Sequence, residues 1–259
     1  MVLFYFNRHK THFNSAIWPD LITKIKYFRH NLVLTRAKCK FIYRKTTNFQ
    51  ENKMLKIILY VIILASLIIG GATFYHLHKV AAKNKTEMAN FENKIPLNIN
   101  LGKVLVVYYS LTGHTKDIAE QIAAKTNADI FEIKTLETYS SPSVYLKSKK
   151  ELADKAYPEI QKENLPNVSA YDTIFIGGPV WWYTMAPAIY SYLRITNFNN
   201  TRVVPFSTQG SNFGKFFDDF ADTVQNAQVL TGENFNNIDE KYQSQVSNKI
   251  NAWLNKLSK

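Results

Sequence analysis

The feature that most constrains the fold is a regular alternation of apolar segments with helix-patterned segments between Lys103 and Leu257. The first apolar segment, KVLVVYY from Lys103, is continuous and rich in Val and Tyr, as in a strand buried on both faces of a parallel sheet. The next segment, Lys116 to Lys125, has apolar residues at helical spacing. A glycine-containing turn separates the two, so together they form one strand-loop-helix unit.

The same unit recurs along the rest of the chain. Further strands are predicted at 128–135, 172–178, 202–208 and 227–232, and further helices at 144–155, after Pro187, at 213–224 and at 238–257. Five strands alternating with five helices predict an α/β fold with a doubly wound five-stranded parallel sheet. In such a fold the ligand lies across the carboxyl ends of the strands.

The formal net charge of +12 is unevenly distributed along the chain. Residues 1–53 have 11 Lys/Arg against two acids, residues 54–102 have five against two, and residues 103–259 have 16 against 16. The three parts therefore carry net charges of +9, +3 and 0. Because the predicted domain is neutral, we expect no nucleic acid partner for it.

The single cysteine, Cys39, excludes an internal disulfide and any zinc or iron-sulfur site built from several cysteines. Cys39 also lies outside the predicted domain. The domain therefore has no thiol nucleophile.

An uncharged apolar run from Ile57 to Tyr75 predicts a transmembrane helix, assigned to residues 55–75. About 20 apolar residues are what a helix needs to cross the hydrocarbon layer. A buried core helix would need apolar neighbours on every face. A cleaved signal peptide is a second alternative, because Gly70 and Ala72 are small residues at a plausible cleavage spacing, but the run is long for one. We expect a retained single-pass anchor.

Residues 1–53 show little periodicity and no helix-capping pattern. Met54 is followed directly by Leu55, Lys56 and the apolar run, which resembles a natural translation start. One hypothesis is that residues 1–53 are an upstream extension without a fold of their own. The alternative is a basic cytoplasmic tail that contacts anionic lipid.

The residues that flank the apolar run give only a weak prediction of sidedness. Lys/Arg residues precede and follow the run in equal numbers. A leader that ends in Lys before a long apolar run usually keeps its N-terminus inside, which favours an extracytoplasmic domain. Residues 76–100 are polar and include Pro96, which predicts a linker between the membrane and a domain at 101–259.

The loop between the first strand and the first helix is the first candidate binding segment. It consists of Ser110, Leu111, Thr112, Gly113, His114 and Thr115. Its hydroxyls and N–H groups would converge on an anion at a helix N-terminus. The loop lacks the Gly-Lys-Ser/Thr ending of a Walker A motif and the three-glycine spacing of a dinucleotide fingerprint. Simple helix capping by Ser110 or Thr112 is the alternative.

The segment VVYYSLTGHTKDIAEQI at 106–122 resembles the phosphate-loop signature of flavodoxins. The matching positions are Val106, Val107, Tyr108, Ser110, Gly113, Thr115, Ala119 and Ile122. The resemblance covers the order of elements from about 101 to 259. It implies that FMN is the cofactor and that residues 110–115 hold its phosphate through hydroxyls and main-chain N–H groups. As in that family, no Lys or Arg occurs between 110 and 115.

The second candidate loop follows the third predicted strand, in the sequence GGPVWWY at 177–183. Glycine lets the backbone approach a ligand closely, and aromatic rings offer flat apolar faces to a planar group. The stretch DTIFIGGPVWWYTMAP resembles the flavin loop of a flavodoxin-like subgroup with paired tryptophans. The contacts that this resemblance implies are Pro179 and Val180 through the backbone and Trp181 or Trp182 near the isoalloxazine ring. Tyr183 completes the candidate cofactor-binding residues of this loop.

The third candidate loop follows the fourth predicted strand, in the sequence TQGSNFG at 208–214. It resembles the second flavin-contacting loop of the same subgroup. The resemblance implies that main-chain N–H groups of Thr208, Gln209 and Gly210 contact the pyrimidine side of the ring. Turn formation alone is the alternative for Gly210 and Gly214.

These segments favour an FMN-binding electron carrier at a membrane, with redox protein partners that the sequence does not identify. Flavin carries out the redox chemistry, while the protein adjusts its potentials. We expect no catalytic residue and no metal site, and for His114 a backbone role. Soluble flavodoxins are strongly acidic, whereas this domain has no net charge. We therefore do not expect it to dock to the usual partners of soluble flavodoxins.

Two alternatives remain open. One is an FMN-dependent quinone or flavin reductase, with a second substrate bound near Tyr183 and the stretch 139–158. The other is a binding module with a flavodoxin fold that has lost redox function.

Overall fold

The structure, a computed structural model, describes residues 53–140, 143–237 and 240–258. The predicted N-terminal extension and Cys39 lie outside the described residues, as do the first two residues of the last predicted helix. The chain divides into two compact units, Met1–Gly70 and Gly71–Lys259. The first unit contributes only part of one helix to the described residues.

The helices and strands follow the predicted alternation. The helices are α1 (Lys53–Ala89), α2 (His114–Thr126), α3 (Val144–Asp154), α4 (Pro187–Ile195), α5 (Phe216–Thr223) and α6 (Gln243–Leu257). The strands are β1 (Val104–Tyr108), β2 (Asp129–Glu132), β3 (Thr173–Trp181), β4 (Thr184–Met185), β5 (Asn197–Gln209), β6 (Gln225–Val229) and β7 (Glu233–Asn236). Short 3-10 turns occupy Val168–Ala170 and Glu240–Tyr242.

A central sheet has the strand order β2-β1-β3-β5-β6, and all pairs along this path are parallel. The order reverses on either side of β1, as in doubly wound folds, so the carboxyl ends of β1, β3 and β5 lie side by side. The predicted α/β fold with a five-stranded parallel sheet is confirmed.

Both faces of the sheet are buried, which explains the continuous apolar segments. In β1, Leu105 and Val107 belong to one core and Val104 and Val106 to the other, because alternate residues of a strand point to opposite faces. Helices α4 and α5 cover the first face and helices α2 and α6 the second. Loops at the strand ends are consequently held by a core on each side.

The short strands β4 and β7 were not predicted, and strand β5 is longer than predicted. Strand β4 pairs antiparallel with β3, and β7 pairs parallel with the last four residues of β5. Strand β5 begins at Asn197, five residues before its predicted start, with a register shift between Asn197 and Thr201. Asn199 and Asn200 have positive φ there, which is why the sequence NFNNT is typical of a turn rather than a strand.

Helix α1 includes the predicted anchor, and every residue from Met54 to Lys79 is exposed. It is the one helix among the described residues that is long and apolar enough to cross a membrane. Length and composition alone do not separate a membrane span from a signal sequence.

The residues after the apolar run, predicted as a linker, continue helix α1 as far as Ala89. Asn84 and Met88 are buried within the unit that contains the sheet. Met88 joins the core between the sheet and helices α2 and α6, and Leu97 and Ile99 pack at its edge. This part of the chain is therefore packed onto the domain.

Candidate functional site

The candidate site is a cavity of about 590 Å³ at the carboxyl ends of three neighbouring parallel strands. The loop after β1, the end of β3 with its hairpin to β4, and the loop after β5 contribute to it. This is the position at which doubly wound folds bind ligands.

The structure brings most of the predicted site residues together around this cavity. The predicted residues that line it are Leu111, Thr112, His114, Thr115, Pro179, Val180, Trp181, Trp182, Tyr183, Thr208, Gln209 and Gly210. Ser110 and Gly113 do not line the cavity; the Ser110 hydroxyl accepts a hydrogen bond of 3.1 Å from the Gly113 N–H. Ser110 therefore shapes the first loop from within.

The first loop leads directly into the N-terminus of helix α2. Gly113 occupies the N-cap position with φ of 95°, a conformation that favours glycine, and provides no side-chain cap. The first N–H groups of a helix have no partner within the helix and carry partial positive charge. The loop therefore presents donors to the cavity at the point where an anion would be stabilised.

A buried hydroxyl pair joins the first loop to the third. The Oγ1 atoms of Thr115 and Thr208 lie 2.7 Å apart, and both side chains are almost completely buried. One hydroxyl donates to the other, so these threonines fix the distance between the two loops.

The second loop is a two-residue hairpin turn rather than an irregular loop. Val180 pairs with Met185 and Trp181 with Thr184, which leaves Trp182 and Tyr183 as the turn. Their φ angles are 53° and 64°, as a type I′ turn requires at both central residues. Such turns favour Asn and Gly, and a bulky residue at positive φ is strained, a feature that clusters at functional sites.

Trp181 is turned toward the core. Its ring makes edge-to-face contacts with Tyr109 and Tyr139, with centroid distances of 5.8 and 5.1 Å. Burial raises the pKa of both tyrosines, and for Tyr139 a hydrogen bond of 2.5 Å to the Glu151 carboxylate raises it further. The phenols behind Trp181 therefore stay neutral.

Trp182 is instead held against helix α3. Its Nε1 donates to the Ser148 Oγ at 3.1 Å, the Tyr145 ring packs edge-on at 6.3 Å, and the Lys149 Nζ lies 5.2 Å from its ring centroid. The side chain remains 43% exposed and Tyr183 remains 68% exposed. Both rings thus retain surface that a planar ligand can cover.

The third loop packs against the hairpin turn. The Lys215 N–H donates to the Tyr183 carbonyl at 2.7 Å. Gly214 has φ of 56°, and a Cβ there would lie 2.2 Å from the same carbonyl oxygen. Only glycine fits, so Gly214 allows the third loop to approach the turn closely.

The Gln209 side chain is buried and points away from any ligand. Its Oε1 accepts from the Ser207 hydroxyl at 3.0 Å, and its Nε2 donates to Asn234 and Asn236 at 2.8 and 3.2 Å. Gln209 can therefore offer a ligand its backbone but not its amide group.

Six residues that line the cavity were not among the predicted flavin contacts. They are Val144, Tyr145 and Ser148 from helix α3, Ser211 and Asn212 from the third loop, and Asn237 after β7. Ser211 and Asn212 lie within the third candidate segment, 208–214, of which only the first three residues were assigned flavin contacts. The α3 residues fall in the stretch 139–158, which was predicted to lie near a second substrate rather than to contact the cofactor, and helix packing brings them to the cavity.

Hydroxyl, amide and aromatic groups dominate the cavity. Across residues 53–140, 143–237 and 240–258 no cluster of three or more His, Cys, Asp or Glu side chains could hold a metal ion. The arrangement can bind an anion at the α2 N-terminus and a planar group beside the hairpin.

The chain is similar to known proteins. The sequence model of the family described as Flavodoxin matches residues 103–257. No curated protein matches the chain. Among solved structures, a protein from Bacteroides eggerthii DSM 20697 with a provisional flavoprotein assignment is 30% identical, with a TM-score of 0.51. The match covers 61% of this chain and 99% of that one.

Two further solved structures are similar. A flavoprotein from Lactobacillus acidophilus NCFM, solved in complex with FMN, is 27% identical over 51% of this chain and 93% of its own, with a TM-score of 0.48. A protein from Bacteroides uniformis ATCC 8492, also provisionally assigned as a flavoprotein, is 25% identical over 60% of this chain and 99% of its own, with a TM-score of 0.49. Because the family match spans more than half of the sequence, the chain belongs to the flavodoxin family.

Proposed function

We propose that this chain binds FMN in the cavity and acts as an electron-transfer protein at a membrane. The observation that carries the proposal is the convergence of three loops from adjacent strands on one cavity with an open helix N-terminus and exposed aromatic rings. Phosphate and planar ring are the two chemical parts of FMN, and the cavity offers a complementary surface to each.

The phosphate fits the first loop. Thr112 supplies a hydroxyl at the cavity, and the N–H groups that open helix α2 supply donors and a favourable dipole. Lys116, the first basic residue after the loop, is paired with Glu120 at 3.7 Å. We therefore assign phosphate binding to neutral donors at 111–115, with Ser110 and Gly113 shaping the loop.

The isoalloxazine ring fits beside the hairpin turn. Trp182 and Tyr183 have exposed faces, and Trp181 closes the side toward the core. Backbone groups of Thr208, Gln209 and Gly210 lie on the opposite loop, so we assign them to the polar edge of the ring.

Bound FMN supplies the uptake and release of electrons, and the protein supplies binding and electrostatics. The aromatic side chains exclude water from one side of the site, and the buried phenols of Tyr109 and Tyr139 keep it uncharged. Stacked aromatic rings and a poorly hydrated ring environment disfavour a negatively charged reduced cofactor. The site should therefore hold FMN at a low potential.

We assign the apolar part of helix α1 as the anchor that confines this domain to a membrane. Every residue of that part is exposed in the structure, and a lipid layer would cover it. We place the domain on the extracytoplasmic side, following the lysine that precedes the apolar run. Confinement to a surface raises the encounter rate with a membrane-bound redox partner.

A second candidate function is an FMN-dependent reductase. The observation that favours it is the contribution of Val144, Tyr145 and Ser148 to the same cavity. These residues give the site a further side, against which a second apolar substrate could bind next to the flavin.

Anaerobic reduction of the full-length chain, purified in detergent and loaded with FMN, separates these functions. A carrier is expected to take up electrons in two resolved one-electron stages, seen in the visible spectrum. A single two-electron transition would favour the reductase. A flavin spectrum unperturbed by the protein would contradict both and support a binding module without redox function.

A further inference from the structure

The end of helix α1 lies before the segment that matches the flavodoxin family, which begins at residue 103. It nevertheless contacts the third loop of the cavity. The Lys83 Nζ donates to the carbonyl oxygen of Ser211 at 3.3 Å, and Ser211 lines the cavity. A second connection runs through buried side chains.

The second connection starts at Glu87. Its Oε2 accepts from the Asn236 amide nitrogen at 3.2 Å, and the Asn84 Oδ1 accepts from the same nitrogen at 2.9 Å. The Asn236 Oδ1 in turn accepts from the Gln209 Nε2. Asn84, Asn236 and Gln209 are all buried, so these hydrogen bonds are shielded from competing water.

Lys249 holds Glu87 in place. Its buried ammonium group donates to the Glu87 Oε1 at 2.6 Å and lies 3.3 Å from the Glu233 carboxylate. The same group also donates to the Asn234 carbonyl oxygen. Removing Glu87 would thus alter the partners of a buried cation as well as those of Asn236.

The direction of the hydrogen bonds is set by the carboxylate. An ionised Glu87 can only accept, so Asn236 must turn its NH2 group toward helix α1 and its oxygen toward Gln209. Gln209 must then direct its nitrogen at Asn236 and its oxygen at the Ser207 hydroxyl. One charged residue on helix α1 therefore orients the buried amides at the end of β5.

We propose that Lys83, Asn84 and Glu87 are positioning residues of the flavin site, and that the last two turns of helix α1 are a functional part of the domain. They hold residues 207–211 in the conformation in which the backbone of the third loop meets the ring. This inference rests on the proposed function, since it assigns the cavity to FMN. It extends the functional unit upstream of the family match.

The test compares Glu87→Gln with Asn248→Ala in the full-length protein in detergent. Asn248 also binds the chain that follows helix α1: it donates to the Phe91 carbonyl at 2.8 Å and accepts from the Ile95 N–H. Neither hydrogen bond involves the third loop. Two quantities are measured for each protein: amide hydrogen exchange of peptides covering 206–212 without FMN, and the Kd for FMN.

Glu87→Gln should accelerate exchange at 206–212 and raise the Kd for FMN, each by about tenfold, because a hydrogen bond to a charged group is lost. Asn248→Ala should lower the melting temperature, but it should change the exchange rate at 206–212 and the Kd for FMN by no more than about twofold. Unchanged exchange at 206–212 in Glu87→Gln, or equal acceleration in both variants, would overturn the inference. If the wild type bound no FMN while Glu87→Gln still accelerated exchange, the proposed function would fail and the positioning role would stand.

Discussion

The two adjacent tryptophans have different surroundings and should have different functions. Trp181 packs against buried Tyr109 and Tyr139, whereas Trp182 makes its contacts on the surface of helix α3. A resemblance between sequences could not distinguish them, because consecutive residues of a strand point to opposite sides and only the structure shows where the strand ends.

Trp182→Ala should weaken FMN binding with a small effect on folding. Loss of a stacking face is expected to raise the Kd for FMN about tenfold, while the free energy of unfolding falls by about 1 kcal/mol. Trp181→Ala should instead lower the free energy of unfolding by about 3 kcal/mol, because it empties a packed position. Fluorescence titration and urea unfolding of both variants check this. Equal effects of the two substitutions on stability would contradict the assignment.

Tyr139 should make the protein less stable at high pH. Burial and Glu151 raise its pKa above the ordinary value of 10.0. Below pH 10 the phenol is protonated in both states; above it, the unfolded chain ionises first, so stability falls as pH rises. Each further pH unit costs about 1.4 kcal/mol. Tyr139→Phe should remove the contribution of this phenol to the slope above pH 10.

Urea unfolding at several pH values measures this slope. A Tyr139→Phe protein with the full wild-type slope would show that the buried phenol does not contribute.

Among the elements, the hairpin between β3 and β4 combines strain with exposure. Tyr183 has φ of 64° and is 68% exposed, so its ring contributes little packing. Asn tolerates this backbone conformation better than a bulky residue. Tyr183→Asn should therefore raise the free energy of unfolding by about 1 kcal/mol and weaken FMN binding at the same time.

The matched control for the hairpin is Leu146→Asn, at an exposed position of helix α3. It should lower stability slightly, since Asn is a poorer helix former than Leu. If Tyr183→Asn also lowered stability, the turn would not be strained in the way its φ angle indicates.

The predictable elements are those with a physical signal in their own residues. Strand β1 was predicted because both of its faces are buried, and the three loops because parallel strands present their carboxyl ends at one edge. Strand β7 was missed, and Asn237 with it, because ENFN is polar and pairs only through β5. The hairpin was missed because Trp-Tyr is not a sequence of a type I′ turn.

At the scale of the whole molecule, the chain combines a neutral domain with a basic, apolar N-terminal part. Leu64→Arg together with Ile68→Arg should release the protein from membranes. Two arginines near the middle of a span cost roughly 5 to 7 kcal/mol on insertion scales. Alkaline extraction of membranes measures retention.

Leu146→Arg is the control, because Leu146 is an exposed leucine on helix α3, outside the apolar run. It should leave membrane retention unchanged. Retention of the double variant at wild-type level would contradict a transmembrane anchor.

An equilibrium titration of the full-length, flavin-free protein with FMN, followed by flavin fluorescence and compared with riboflavin, tests FMN binding itself. We predict saturable binding of one FMN per chain with a Kd of about 1 μM or below, and clearly weaker binding of riboflavin, which lacks the phosphate that residues 111–115 would hold. No saturable FMN binding would contradict the proposed function, and equal affinity for both flavins would contradict the role of the first loop.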